Sequence, residues 1–118
     1  TPDESAFAGQ MLPGTNCADA PVSVKGQNTW LLNQLGEGFV LLCFGKSAAS
    51  SVSVAGIEAK VLHVGTDVLD TQGLVAQRFD GQDGTVYLIR PDQHVAARWR
   101  SFDSNKAQAA MKRCLALA

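Results

Sequence analysis

Three cysteines and two histidines are the residues of this chain whose types favour catalysis or metal binding. Cys17, Cys43 and Cys114 are 26 and 71 residues apart, and none belongs to a Cys-x-x-Cys pair or lies at ligand spacing from a histidine. An odd number of widely spaced cysteines disfavours both a disulfide framework and a zinc site. The sequence therefore predicts a reduced, cytoplasmic chain that binds no metal.

The neighbours of these residues favour structural roles. Cys43 lies in an apolar run and Cys114 on the apolar side of a predicted helix, so both are expected to be buried as small hydrophobic residues. Cys17 lies in a polar loop, where exposure is expected. His63 lies between two apolar residues and is expected to be a hydrogen-bonded imidazole in the core, whereas His94 is expected to be partly exposed.

Several function classes lack their sequence signals. There is no G-x-S-x-G for a hydrolase nucleophile, no Walker A sequence, and no G-x-G-x-x-G; the nearest match, residues 36–38, precedes an apolar strand. No apolar stretch reaches the 18 residues that a membrane span requires. The formal net charge of −1 gives no electrostatic reason to expect nucleic acid or a membrane surface as a partner.

Charge is distributed unevenly along the chain. Residues 1–83 contain 4 basic and 9 acidic side chains, and residues 84–118 contain 6 and 2. Strand alternation predicts Arg98 and Arg100 on one face of a hairpin, away from Trp99. Two interpretations remain open: a solvated face with local ion pairs, or a docking surface for another domain or subunit, where arginine and tryptophan are enriched.

The longest apolar segments predict the strands that position these residues. Residues 39–44 are six consecutive apolar residues bounded by glycines, which indicates a strand covered on both faces. Residues 59–64 predict a second interior strand. A helix is plausible in the small, serine-rich residues 46–56 between them, and it would complete a right-handed βαβ unit.

The second half of the chain predicts a hairpin and a helix. Residues 86–90 read as a strand, residues 91–93 as a turn with proline at the position whose φ it presets, and residues 94–99 as the returning strand. Asp103 or Ser104 can cap the final helix, whose apolar residues recur at helical spacing. These are Ala107, Ala110, Met111, Cys114 and Leu115.

Shorter signals complete the outline. Residues 22–24 predict a short strand, Asn28 or Thr29 can cap a short helix that ends at Gly36, and residues 73–79 predict a helical turn. The order of elements predicts an α/β fold: a thioredoxin-like mixed sheet with a β-hairpin and a C-terminal helix. Residues 1–21 are expected to form an N-terminal arm or loop, starting at a cut or processed end, and residues 22–118 the domain.

A thioredoxin-like fold places its redox dithiol directly after the first interior strand, near residues 46–51, where a helix N-terminus lowers the pKa of a thiol. Ser47 and Ser50 have the required spacing there, but a hydroxyl cannot form a disulfide. Thioredoxin-type exchange is therefore excluded for this fold, and a one-cysteine peroxidase lacks its thiol in that loop.

The hairpin also carries a resemblance. Residues 84–100, with Leu-Ile-Arg-Pro-Asp at 88–92, resemble the C-terminal thioredoxin-like domain of FAD-dependent aromatic-ring hydroxylases, the class of 3-(3-hydroxyphenyl)propionate hydroxylase and phenol hydroxylase-like monooxygenases. Weaker matches extend the resemblance over residues 13–117, among them Pro13-Gly14, Asp19 to Val22, Trp30 to Leu32 and Gly38-Phe39. The sequence departs from the family pattern at Ala18 and Gln93, where the family often has proline and glycine.

The resemblance implies an accessory domain that has a structural, interdomain or dimerisation role. FAD, NAD(P)H and the aromatic substrate would belong to preceding domains of the same chain, so no catalytic, cofactor-binding or metal-binding residue is expected here. The structural or interface candidates are Arg90, Pro91, Asp92, His94, Arg98, Trp99 and Arg100. Two alternatives are a stand-alone thioredoxin-like module that binds a protein or ligand without redox activity, and a thiol enzyme that uses Cys17 or another single cysteine.

Overall fold

The structure is a computed structural model that describes residues 11–46 and 49–115. Its elements in chain order are β1 (Pro21–Val24), β2 (Gln27–Trp30), a 3-10 helix (Leu31–Gln34), β3 (Val40–Phe44), β4 (Ser53–Val54), β5 (Ile57–Glu58), β6 (Lys60–Val64), α1 (Leu74–Phe79), β7 (Val86–Ile89), β8 (Val95–Trp99) and α2 (Ser104–Cys114).

A four-stranded mixed sheet in the order β6-β3-β7-β8 forms the centre of the molecule. β3 pairs parallel with β6 and antiparallel with β7, and β7 pairs antiparallel with β8. Every residue of β3 is buried, as the unbroken apolar run at residues 39–44 predicts. Every residue of β7 and β8 is buried as well. This mixed sheet with its hairpin and C-terminal helix confirms the predicted fold class and is consistent with a thioredoxin-like fold.

The sheet separates two hydrophobic clusters. Cluster 1 contains the sheet residues Leu42, Phe44, Tyr87 and Ile89 together with Val22 of β1 and Val75 and Phe79 of α1. Cluster 2 contains Leu41, Cys43, Val86, Leu88 and Trp99 together with Ala107, Ala110 and Met111 of α2. Alternate residues of β3 and β7 enter opposite clusters, because side chains alternate across a strand.

The helix considered for residues 46–56 is wrong over the part that the structure describes, since β4 and β5 form a small antiparallel hairpin there. Its turn residues Ala55 and Gly56 have φ of 53° and 78°, the left-handed values of a two-residue hairpin turn. Val52 and Val54 are buried in cluster 2 and Ser53 is exposed. This period-2 alternation was present in the sequence and indicates a strand.

The helix predicted to begin at Asn28 or Thr29 is also wrong, because both residues belong to β2, which pairs antiparallel with β1. Lys25 and Gly26 make the intervening turn, with φ of 51° and 81°. Only the four residues of the 3-10 helix follow β2. The N-cap residue of this helix is Trp30, whose side chain makes no capping hydrogen bond.

The strand predicted at residues 59–64 is present as β6, but it lies at the edge of the sheet and not in the interior as predicted. The other predicted elements are confirmed. The short strand appears as β1, the helical turn as α1, and the hairpin as β7 and β8. Asp103 is the N-cap of α2, where its carboxylate accepts the N–H groups of Asn105 and Lys106 at 2.9 and 3.2 Å. None of the helices in the described ranges is long and apolar enough to cross a membrane.

Residues 14–17 lie along β8. The Gly14 N–H donates to the Val95 carbonyl at 2.7 Å, the Val95 N–H donates to the Thr15 carbonyl at 2.8 Å, and the Cys17 N–H donates to the Gln93 carbonyl at 2.8 Å. This part of the predicted arm is therefore hydrogen-bonded to the sheet. A domain boundary at residue 21 stays a prediction.

Candidate functional site

The hairpin tip, defined here as Arg90, Pro91, Asp92, Gln93 and His94, is a tight turn fastened by its own side chains. The Arg90 guanidinium forms an ion pair with the Asp92 carboxylate. The Gln93 N–H closes the turn on the Arg90 carbonyl at 2.9 Å, and Gln93 has a φ of 63°. This left-handed backbone conformation favours glycine, and Gln93 adopts it although it carries a side chain.

The tip also sets the ionisation of Asp92. Desolvation acts to raise the pKa of Asp92, but the hydrogen bonds from Arg90 and from the His94 backbone N–H outweigh it and lower the pKa from its ordinary 3.8. The His94 ring Nδ1 lies 3.3 Å from Asp92 Oδ1, the carboxylate oxygen that is not paired with Arg90. The His94 side chain is one-third exposed. His94 is thus partly exposed, as predicted.

The opposite end of the hairpin is a polar cluster inside the molecule, which we call the internal arginine network: Asp80, Thr85, Tyr87, Arg98 and Arg100. Arg98 pairs across the strands with Tyr87 and hydrogen-bonds to its hydroxyl. That hydroxyl donates in turn to the Phe79 carbonyl. Of the two interpretations left open, the solvated face is wrong for Arg98, since the residue is only 3% exposed.

Arg100 continues the same network towards the end of α1. Its guanidinium forms an ion pair with the Asp80 carboxylate and donates to the Asp80 carbonyl at 2.6 Å and to the Thr85 hydroxyl at 3.0 Å. Trp99 is directed to the other face of the sheet and buried in cluster 2. Arg98 and Trp99 therefore lie inside this domain, and an interface role for the seven candidate residues stays a prediction.

Two of the three thiols lie where the sequence did not place them. Cys17, expected in an exposed loop, is buried in cluster 1, and this burial raises its pKa to about 12. Cys114, expected to be buried, is exposed in the last turn of α2, whereas Cys43 is buried as predicted. A thiol with a pKa near 12 stays protonated at neutral pH, which disfavours Cys17 as a nucleophile.

His63 is not in the core, because β6 is an edge strand of the sheet and not an interior one. Its side chain is about one-third exposed, and its Nδ1 lies 3.7 Å from the Asp67 carboxylate, which also accepts the His63 backbone N–H at 2.8 Å. Within residues 11–46 and 49–115, no group of three or more His, Cys, Asp or Glu side chains is arranged to bind a metal ion.

The loop that follows β3, where a thioredoxin-like fold is expected to place a redox dithiol, begins with a close contact to the loop before β7. The Gly84 N–H donates to the Phe44 carbonyl at 2.9 Å, and the Asp83 carboxylate accepts the Lys46 N–H. Gly45 has a φ of 62°, and a Cβ there would lie 2.1 Å from Asp83 Oδ1 and 2.9 Å from Asp83 Cα. Ser50 is exposed, and Ser47 lies outside the described residues.

Comparison with known families decides where this chain belongs. A family model described as the C-terminal region of aromatic-ring hydroxylases matches residues 10–118. The chain belongs to the aromatic-ring hydroxylase C-terminal family. Comparison with curated proteins gave no match.

Solved structures of the same fold are much longer than this domain. It is similar to aklavinone-11 hydroxylase, solved as a ternary complex with FAD and aklavinone (TM-score 0.75, 23% identity, 98% of this chain and 24% of that chain). It is also similar to the flavin-dependent monooxygenase PieE, solved with FAD and substrate (TM-score 0.75, 22% identity, 99% of this chain and 23% of that chain). The domain thus spans about a quarter of the length of each.

The N-terminus of each described helix is partly occupied by an aspartate of this domain. A pyrophosphate site uses free N–H groups at a helix N-terminus. In each helix described, an aspartate of the chain itself takes such groups: Asp19 for the 3-10 helix, Asp70 for α1 and Asp103 for α2. Asp70, for example, accepts the N–H groups of Val75 and Ala76 at 3.0 and 2.9 Å. These negative charges would repel a phosphate.

Sequence reasoning missed the internal arginine network, although it singled out two of its members. Asp80 comes from the connection before β7, and no local pattern links it to Arg100, which is 20 residues away. It also missed β2, for which the turn signal Lys25-Gly26 was available.

Proposed function

We propose that this chain is a non-catalytic C-terminal domain of an FAD- and NAD(P)H-dependent aromatic hydroxylase, a monooxygenase in which the flavin, the reductant and the substrate are held by preceding domains. The domain would contribute contacts to those domains, or between two subunits of a homodimer. The observation that carries the proposal is the family match over residues 10–118 in a chain with no thiol at the redoxin position.

The chemistry of the described residues supports a structural role. Cys17 and Cys43 are buried, and Cys114 lies at the end of α2, in an element remote in sequence from the loop that holds a redoxin dithiol. In that loop the Asp83 carboxylate binds the backbone of Lys46 and fills the space beside Gly45. A redox partner would find no reducible group there.

The aspartates at the helix ends support a location of FAD outside this domain. Asp19, Asp70 and Asp103 are each placed to stabilise the fold, because a carboxylate interacts favourably with the positive end of a helix. The same charges disfavour an anionic cofactor at these positions. In the full protein, the preceding domains would join this one ahead of residue 14, because residues 14–17 are hydrogen-bonded along β8.

The test uses the full-length protein that carries this domain. We expect it to contain a flavin-binding region upstream of Thr1, to purify with FAD, and to hydroxylate an aromatic compound with NADH or NADPH. We expect Cys114→Ser to leave kcat and KM unchanged, since Cys114 is the accessible thiol among those described. A protein without bound flavin would contradict the proposal. A Cys114→Ser variant that keeps its fold and FAD content but loses turnover would contradict the non-catalytic role.

A further inference from the structure

The two-stranded sheet of β1 and β2 buries one face and leaves the other outward. Val22 enters cluster 1, so Pro21 and Ser23 lie on the opposite face of β1, where Ser23 is covered and only 8% exposed. Antiparallel partners share a face, and Pro21 pairs with Trp30 while Ser23 pairs with Leu69. The second pair exchanges two backbone hydrogen bonds of 2.9 and 2.8 Å. Trp30 and Leu69 therefore lie on the same outward face, on opposite sides of β1.

These two side chains are unusually exposed for their size. Trp30 is 52% exposed and Leu69 49%, and a surface groove beside Trp30 is lined also by Pro21, Thr71 and Gln72. Single exposed apolar residues are common, but tryptophan is among the residue types most enriched at the centre of protein interfaces, so a half-exposed tryptophan beside a groove is a candidate anchor. We call Pro21, Trp30 and Leu69 the outer apolar face.

The segment before β1 is joined to the residues that follow Trp30, since the Leu31 N–H donates to the Ala20 carbonyl at 2.9 Å. Met11 packs against cluster 1, and its sulfur lies 3.3 Å from the backbone nitrogen of Ala18. The next residue, Asp19, accepts the N–H of Leu32 at 3.0 Å, and Leu32 follows Trp30 by two residues. A domain joined through residues 1–10 would therefore be linked to the part of this fold that holds Leu32 and Trp30, which raises its effective concentration at the surfaces nearby.

We propose that the outer apolar face, with Trp30 as its anchor, is the surface through which this domain docks on the preceding flavin-containing part of the same polypeptide. This inference rests on the proposed function. Its support is the length of the structural neighbours, in which about three-quarters of the chain lies outside the matched domain, together with the position of Met11. Burial of Trp30 and Leu69 by that part would remove their apolar surface from water.

Ile57 provides an internal control. It is 41% exposed at the β4–β5 turn, a hairpin whose Val54 packs into cluster 2 on the other side of the sheet. Hydroxyl-radical footprinting of the full-length flavoprotein, read residue by residue by mass spectrometry, compares the two surfaces in one sample. We expect Leu69 to be modified several-fold more slowly than Ile57, although Leu69 is the more exposed of the two in this domain, and Trp30 to be strongly protected.

Two variants separate docking from folding. In Trp30→Glu we expect the protection of Leu69 to be lost, while buried Trp99 remains unreactive and so reports an intact fold. In the matched Ile57→Glu variant, Leu69 should stay protected. Continued protection of Leu69 in Trp30→Glu would overturn the role of Trp30.

The remaining outcomes are also decisive. If the wild-type protein binds FAD but Trp30 and Leu69 react as fast as their exposure in this domain predicts, the inference is wrong and the proposed function stands. If no flavin region is present, the proposed function itself fails. Protection that disappears on dilution would show that a second copy of the chain covers the face, and this would overturn an intramolecular contact.

Discussion

The two ends of the β7–β8 hairpin carry the same chemical pair in different surroundings. At the hairpin tip, Arg90 and Asp92 form an ion pair in which the side chains are 39% and 48% exposed. At the other end, Arg100 and Asp80 form an ion pair in which they are 21% and 23% exposed. The second pair also joins two elements, since Asp80 follows α1 and Arg100 follows β8.

The difference shows how burial, not composition, decides what such a pair contributes. An exposed pair is screened by water and its net contribution to stability is small. A partly buried pair with additional hydrogen bonds is costly to break, because removal of one partner leaves the other charge poorly solvated. We therefore expect the internal arginine network to stabilise the fold and the hairpin tip to be nearly neutral.

The largest expected effect comes from Arg100→Ala, which removes the ion pair with Asp80 and the hydrogen bond to Thr85. We expect the free energy of unfolding to fall by about 3 kcal/mol, at the low end for a buried pair because part of each side chain is exposed. Urea denaturation measures this. The matched control is Arg90→Ala at the tip, which should unfold close to the wild type. Equal losses in the two variants would contradict the comparison.

Tyr87→Phe is expected to have the next largest effect. The substitution keeps the ring, which packs edge-on against Phe79 with centroids 5.1 Å apart, and removes the hydroxyl that joins Arg98 to the Phe79 carbonyl. We expect a loss of about 2 kcal/mol, because one of the hydrogen bonds involves a charged group. The midpoint of urea denaturation measures it, and an unchanged midpoint would show that this hydroxyl does not stabilise the network.

Thr85→Val should have a smaller effect, since it preserves the shape of a fully buried side chain. The Thr85 hydroxyl accepts hydrogen bonds from the Gln82 N–H at 3.1 Å and from Arg100 at 3.0 Å. In the variant, Arg100 still has its ion pair with Asp80. We expect a loss of about 1 kcal/mol. The double variant Thr85→Val/Arg100→Ala should lose less stability than the sum of the two single losses, because both substitutions remove the same hydrogen bond. Strict additivity would mean that Arg100 and Thr85 are not coupled.

The smallest expected effect is the pH dependence due to Asp92. Because its pKa is lowered in the folded protein, Asp92 contributes stability above its ordinary pKa of 3.8 and loses that contribution as the pH falls below it. The contribution should be slight, since the side chain is exposed. Thermal unfolding of Asp92→Asn between pH 7 and pH 3 measures it. A large difference from the wild type at neutral pH would show that the tip matters more than its exposure suggests.

Local signals sufficed for much of the fold. The hairpin follows from a proline at the turn and from two flanking apolar strands, and α2 follows from the Asp103 cap and helical spacing. The helix considered for the small-residue segment at 46–56 was wrong. The composition of the segment is compatible with a helix, but the alternation of Val52, Ser53 and Val54 indicates a strand. The exclusion of thioredoxin-type exchange required only the residue types at 46–51.

The candidate site was less predictable, because exposure depends on which distant segments cover a residue. Cys17 is buried because residues 14–17 lie along β8, and Cys114 is exposed because α2 ends there. Alternation correctly placed Arg98 and Trp99 on opposite faces, but it gave no indication that both faces are covered.

The amino-acid sequence alone determined the central strands, the β7–β8 hairpin, the capped C-terminal helix and the lack of a redox dithiol, since these depend on residue type and short-range pattern. Only the tertiary structure decided which arginines are internal, which thiol is accessible, and that Trp30 and Leu69 share an outward face. These properties arise from contacts between segments far apart in the chain, such as Asp80 with Arg100 and Ser23 with Leu69, and no local pattern encodes such a pairing.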